Sequence, residues 1–141
     1  MSADNRPAPR LVPHADDERL AEDTARRILE VLERAQDERG EATIALTGGS
    51  MGTRVIREVA AHPDAQLVDW SRVNVWWSDE RFLPGADPER NGVQAADAWN
   101  ESFALTWDRV HPVAGSDEID TADAAAADYR DELAAAAAAE D

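Results

Sequence analysis

Cysteine and lysine are both absent from the 141-residue sequence. Without cysteine there is no disulfide and no thiolate metal site, which agrees with a reducing compartment such as the cytoplasm. Without lysine there is no Schiff base, no amine general base and no Walker-type phosphate loop, since that loop ends in Gly-Lys-Ser/Thr. Arginine supplies all 14 basic side chains.

Long apolar runs and positive charge are also scarce. No run approaches the roughly 20 apolar residues of a membrane helix, and the N-terminus lacks the apolar region of a secretion signal, so we expect a cytoplasmic protein with no membrane partner. Acidic residues outnumber basic ones by 30 to 14, for a formal net charge of −16. Such a chain would repel a nucleic acid backbone. His14, His62 and His111 lack metal-ligand spacing, so we expect structural roles for them and no metal.

What remains is enough for a core, because 43% of the residues are hydrophobic. The prolines within residues 1–13 predict a flexible N-terminus, in which Leu11 and Val12 could add an edge strand. We interpret residues 14–141 as belonging to one domain. The hydrophobic pattern predicts helices over 16–38, after the glycine pair 48–49, over 91–102 and over 120–139, and strands over 43–47, 72–78 and 110–113.

Strands that alternate with helices predict an α/β fold with a doubly wound, mainly parallel sheet. Trp76 and Trp77 point to opposite faces of the second strand, which predicts a sheet covered on both sides. Two or three strands are few for such a sheet. We therefore interpret the chain as the first half of a larger domain.

The stretch LTGGSMGT, residues 46–53, follows the first predicted strand directly. Glycines let a backbone approach an anion closely, and the N-terminus of the next helix adds free N–H groups and a partial positive charge. Asp79 and Arg81 follow the second strand, and the carboxyl ends of parallel strands share one edge of the sheet. Because Arg81 can bind phosphate through two hydrogen bonds, this edge is a candidate phosphate site.

Each of these features also has an ordinary structural explanation. The glycine pair could form a tight strand-to-helix turn, and the charged residues 79–81 could be a solvated cluster. Asn91 could simply cap the helix that begins there. The glycine turn matches neither a Walker loop nor a dinucleotide fingerprint.

Three stretches together resemble the 6-phosphogluconolactonase family: LTGGSMGT, VDWSRVNVWWSDERFLP at 68–84 and ADPERN at 86–91. That family belongs with the glucosamine-6-phosphate isomerases in one sugar-phosphate superfamily. The resemblance implies a Rossmann-like doubly wound fold. It also implies hydrolysis of 6-phospho-D-glucono-1,5-lactone to 6-phosphogluconate in the oxidative pentose phosphate pathway, without cofactor or metal. Two alternatives are an amino-sugar-phosphate deaminase or isomerase and a non-catalytic sugar-phosphate-binding module; the DERF and ERN stretches favour the lactonase.

Carried onto this sequence, the resemblance assigns a phosphate-binding turn, a phosphate-binding arginine, an orienting aspartate and an asparagine that faces the pocket. The substrate-binding residues are then Thr47, Gly48, Gly49, Ser50, Asp79, Arg81 and Asn91.

The family's general base is a histidine in a Gly-x-x-x-Asp-Gly-His-like motif, and this sequence contains no Asp-Gly-His. Opening a lactone needs a base that activates water. We therefore assign no catalytic residue and expect the 141 residues to be inactive alone. The base is expected from a missing C-terminal half or from a partner chain.

Overall fold

The computed structural model describes residues 6–140, in which helices and strands alternate along the chain. The elements are α1 (Asp17–Arg39), β1 (Ala42–Leu46), α2 (Gly49–Ala61), β2 (Val73–Trp77), α3 (Asn91–Trp99) and α4 (Ala122–Ala139), with 3₁₀ turns at Pro63–Leu67, Trp70–Arg72 and Trp107–Arg109. Residues 1–5 of the predicted N-terminal segment, and Asp141, lie outside the described residues.

The two strands pair in parallel, from Ala42 opposite Val73 to Leu46 opposite Trp77. This pairing confirms the predicted α/β fold with a parallel sheet. It follows from the long α2 connection, because two consecutive strands joined through a helix return in the same direction.

Both faces of β2 are covered, as its two tryptophans predicted. Trp77 lies with Val73 and Val75 in the main core, together with apolar residues of α1, α2 and α3. Trp76 faces the other way, where it stacks on His111 at 3.8 Å between ring centroids and meets the edge of Tyr129 of α4. The sheet therefore separates α4 from the main core.

The predicted third strand over 110–113 is wrong, because its pairing with β2 stops after one step. Val110 forms a single parallel bridge to Val75, and the N–H of His111 donates to the Val75 carbonyl at 2.9 Å. Pro112 then has no N–H to continue the ladder. The Tyr129 hydroxyl bridges the two segments instead. It accepts from the backbone N–H of Trp77 at 2.9 Å and donates to the backbone carbonyl of His111 at 2.7 Å.

Two further predictions, a strand near the N-terminus and the end of α3, are also wrong. Leu11 and Val12 form no strand, and Leu11 is 90% exposed. The helix predicted to reach residue 102 ends at Trp99, because Asn100 takes a left-handed conformation with φ of 41° and closes the last turn.

Within residues 6–140, β1 pairs with β2 alone, so its other edge has no strand partner. Thr43 and Ala45 lie on the same sheet face as Trp76 and are exposed, and Ile44 and Leu46 on the other face are only partly buried. The predicted covering of both faces therefore holds for β2 and not along β1. An apolar cavity of about 390 Å³ lies beside β1, and residues of α1, α2 and β1 are among those that line it.

Removing the Tyr129 hydroxyl by Tyr129→Phe should lower the free energy of unfolding by about 1–2 kcal/mol. Burial raises the pKa of the Tyr129 phenol, so it remains a hydrogen-bond donor at neutral pH. In the variant, the Trp77 N–H and the His111 carbonyl lose their common partner. Urea unfolding checks this prediction: a midpoint equal to that of the wild type would show that the bridge contributes nothing.

Candidate functional site

The loops after β1 and β2 leave the sheet side by side. The strands end at the paired residues Leu46 and Trp77, and the Ser78 N–H continues the ladder by donating to the Leu46 carbonyl at 2.9 Å. The glycine turn and the segment that starts at Asp79 therefore begin at the same edge of the sheet.

The glycine turn leads directly into α2, and each of its glycines has a separate physical reason. Gly49 has φ of +85°, a conformation that other residues adopt at a cost. Gly48 leaves room for the Asn91 side chain, which a methyl group there would overlap. At Gly52, which the sequence analysis did not single out, a Cβ would lie 2.5 Å from the Thr47 carbonyl oxygen. These contacts bring the first turn of α2 tightly against the end of β1.

No side chain among the described residues caps the first turn of α2, and that turn contains no acidic residue. The first N–H groups of a helix have no intrahelical acceptor and carry partial positive charge. Ser50 is exposed in this turn. The N-terminus of α2 therefore offers free donors to an anion.

Asp79 and Asn91 are joined by direct hydrogen bonds. The Asn91 Nδ2 donates to the Asp79 backbone carbonyl at 3.1 Å and to the Asp79 Oδ1 at 3.2 Å. Asn91 is 8% exposed and lies against Gly48. Three predicted site residues thus form one contact group across the two loops. The alternative that Asn91 caps α3 is wrong, because its side chain bonds to Asp79 instead.

The N-terminus of α3 is held by Glu80, which sequence reasoning missed. Its carboxylate accepts from the N–H groups of Asn91 at 2.6 Å and of Gly92 at 2.8 Å. It also lies 3.7 Å from the Arg90 guanidinium, and both of these side chains are at least 95% buried. From the sequence, Glu80 could be part of a solvated charged cluster with its neighbour Arg81. No local sequence pattern indicates that its carboxylate binds the start of a helix eleven residues later.

Arg81, in contrast, is exposed, and among residues 6–140 its guanidinium has no hydrogen bond or ion pair. It lines a cavity of about 300 Å³ between the end of β2 and α4, together with Asp79, Tyr129 and Arg130. A free arginine at the mouth of a cavity is suited to a phosphate or carboxylate.

The structure does not place all seven predicted residues around one cavity. Thr47 and Gly48 line the apolar cavity beside β1, whereas Asp79 and Arg81 line the one beside α4. Gly49, Ser50 and Asn91 line neither of them, although Asn91 was expected to face the pocket. The glycine turn and Arg81 share an edge of the sheet, and Asn91 is the link between the two loops, because its side chain packs against Gly48 and bonds to Asp79.

The three histidines all have structural contacts. His14 lies 2.9 Å from an Asp23 carboxylate oxygen, and the His62 ring accepts from the Asp64 N–H. His111 stacks on Trp76 and hydrogen-bonds to Glu132 at 2.7 Å. In the part of the chain that the structure describes, no group of three or more acidic, histidine or cysteine side chains is arranged to hold a metal ion.

The fold and this geometry define an α/β protein with a candidate anion site at the carboxyl ends of its parallel strands. A family model described as glucosamine-6-phosphate isomerases/6-phosphogluconolactonase matches residues 15–141. The curated 6-phosphogluconolactonase of Streptomyces coelicolor is 46% identical over 130 residues, which are 91% of this chain and 50% of that protein. That of Mycobacterium tuberculosis is 38% identical over 125 residues, 87% of this chain and 50% of that protein.

Solved structures share the fold. The 6-phosphogluconolactonase from Leishmania guyanensis gives a TM-score of 0.72 at 23% identity and covers 89% of this chain and 50% of its own. A monomeric glucosamine-6-phosphate deaminase gives 0.71 at 16% identity and covers 86% of this chain and 48% of its own.

The chain belongs to the glucosamine-6-phosphate isomerase/6-phosphogluconolactonase family, which confirms the resemblance seen in its sequence. It spans about half the length of the curated relatives it matches. No helix within residues 6–140 is long and apolar enough to cross a membrane.

Proposed function

We propose that this chain supplies the phosphate-binding part of a 6-phosphogluconolactonase, which hydrolyses 6-phospho-D-glucono-1,5-lactone to 6-phosphogluconate. The observation that carries the proposal is the 46% identity to the curated lactonase of Streptomyces coelicolor. In this proposal residues 14–141 are the N-terminal part of a single domain. The cytoplasmic location and the lack of a nucleic acid partner stay predictions from the sequence.

The proposed division of roles follows the site. The free N–H groups at the start of α2 and the unpaired Arg81 guanidinium bind the phosphate of the substrate. Asn91 joins the two loops, because its side chain bonds to Asp79 and packs against Gly48. The high net negative charge does not oppose this, because long-range charge is screened over about 10 Å at ordinary salt, whereas hydrogen-bond donors act at contact distance.

The general base is proposed to lie outside these residues. His14, His62 and His111 are each engaged in a structural contact, and the chain has no Asp-Gly-His. A base that activates water contributes about 10²–10⁴-fold to the rate. We propose that a segment corresponding to the other half of the curated relatives provides it.

A product assay on the full-length protein, meaning the product of the whole reading frame that contains this chain, tests the proposal. The lactone is generated from glucose 6-phosphate, and the appearance of 6-phosphogluconate is compared with the spontaneous hydrolysis rate. We expect clear acceleration above that rate. Ammonia release from glucosamine 6-phosphate in a parallel assay would instead identify a deaminase. Binding of 6-phosphogluconate without turnover would identify a binding module.

A further inference from the structure

The carboxylate of Glu80 joins the segment that follows β2 to the start of α3. It accepts from the backbone N–H of Arg81 at 2.8 Å, of Asn91 at 2.6 Å and of Gly92 at 2.8 Å. One side chain thus fixes the peptide groups of both Arg81 and Asn91, which are ten residues apart.

Arg90 forms an ion pair with this carboxylate. Its guanidinium lies 3.7 Å from Glu80, and one of its terminal nitrogens donates to the Val113 carbonyl at 2.5 Å. The two side chains are 5% and 4% exposed, for Arg90 and Glu80 respectively. A buried ion pair has few alternative arrangements, because any move that separates the partners leaves an uncompensated charge. We call Glu80 and Arg90 together the Glu80 clamp.

The clamp matters for Arg81 because Glu80 holds one end of the peptide backbone from which that side chain extends. Its guanidinium is exposed and has no partner among residues 6–140, so the direction of the side chain depends on its backbone. That backbone is held at the N–H by Glu80 and at the carbonyl by the Leu83 N–H, at 2.9 Å. An unpaired arginine whose backbone is held in place loses less conformational freedom on binding an anion than an arginine on a mobile loop.

We infer that Glu80 and Arg90 are positioning residues, which fix Arg81 and Asn91 in the orientation required to bind the phosphosugar. The inference rests on the proposed function, and it assigns a role in binding to two side chains that are almost fully buried. Pre-organisation of this kind has large effects, since a misplacement of about 1 Å can cost about 100-fold.

The test is Glu80→Gln in the full-length protein, with the dissociation constant of 6-phosphogluconate measured by titration. Glutamine keeps the shape but places an amide NH₂ against backbone N–H groups and Arg90. We expect binding about 10- to 100-fold weaker. Glu89→Gln is the matched control, because it makes the same chemical change at an exposed residue of the same loop, and it should bind like the wild type.

A double-mutant cycle with Arg81→Ala separates positioning from general damage. If Glu80 acts through Arg81, Glu80→Gln should weaken binding much less in the Arg81→Ala background than in the wild-type background. Full additivity, or an unchanged dissociation constant for Glu80→Gln, would overturn the inference. Should Glu80→Gln not fold, as judged by circular dichroism, Arg90→Lys takes its place in the same cycle, since lysine keeps the charge but lacks the guanidinium whose Nη2 donates to the Val113 carbonyl.

Amide hydrogen exchange tests the clamp without a ligand. Glu80→Gln should speed exchange at Arg81, Asn91 and Gly92 by about tenfold or more, and leave the β1–β2 ladder unchanged. If these three amides exchanged in Glu80→Gln as slowly as in the wild type, the Glu80 clamp would be refuted. A wild-type protein that binds no 6-phosphogluconate would refute the proposed function instead, and exchange would still decide whether the clamp exists.

Discussion

Replacing Gly48 by alanine should lower the free energy of unfolding by about 2–4 kcal/mol and strongly weaken phosphosugar binding. The backbone conformation is not the reason, because φ of −82° and ψ of −165° are accessible to alanine. The added methyl would occupy the space of the Asn91 side-chain amide. Asn91 is 92% buried and would have to give up its hydrogen bonds to Asp79.

Two further variants make this prediction specific. The double variant Gly48→Ala/Asn91→Ala should be closer to wild-type stability than additivity predicts, because the clash disappears with the amide. Gly49→Ala should lower the free energy of unfolding by about 1–2 kcal/mol, because of the positive φ at that position alone. It should leave Asn91 in place, since a Cβ at Gly49 meets nothing within 4 Å. Urea unfolding measures all three. Wild-type stability of Gly48→Ala, or strict additivity of the double variant, would contradict the packing argument.

Replacing Arg81 by alanine should weaken 6-phosphogluconate binding by about 1.5–3 kcal/mol, the usual contribution of a hydrogen bond to a charged group. This corresponds to a dissociation constant about 10- to 150-fold higher. Stability should change by no more than about 0.5 kcal/mol, because the Arg81 side chain is exposed and has no partner among the described residues. Titration of the full-length protein gives the affinity, and urea unfolding gives the stability.

Arg57→Ala is the matched control for Arg81→Ala. It removes the same charge from an exposed position of α2, about two helical turns from the glycine turn. We expect little change in affinity, since a charge at that distance is largely screened. If the two variants weakened binding equally, Arg81 would contribute only general positive charge and would make no contact with the phosphate.

The half-length match to the curated relatives affects how these experiments are read. Binding variants test the residues of this chain directly, whereas turnover also depends on the base proposed to lie elsewhere. A loss of turnover alone would therefore not distinguish the two. Affinity for 6-phosphogluconate is the more informative measurement for Gly48, Glu80 and Arg81.

The elements of the fold could be predicted because their signals are local. The bounds of α1, β1 and β2 differ from the predicted ones by one residue at each end, since period-3.6 and period-2 patterns and the caps at Asp16 and Gly40 act within a few residues. The alternation of helices and strands was enough to predict a parallel sheet. The family was visible in three short stretches.

The sequence alone thus determined the fold class, the family and the residues of the glycine turn. Only the tertiary structure decided that Glu80 holds the start of α3, that Asn91 bonds to Asp79 rather than capping its helix, and that the Tyr129 hydroxyl replaces a third strand. Each of these contacts joins residues between 11 and 52 positions apart. A polar side chain has many possible partners at such separations, and the choice among them depends on which groups packing buries and leaves unpaired, which no local pattern records.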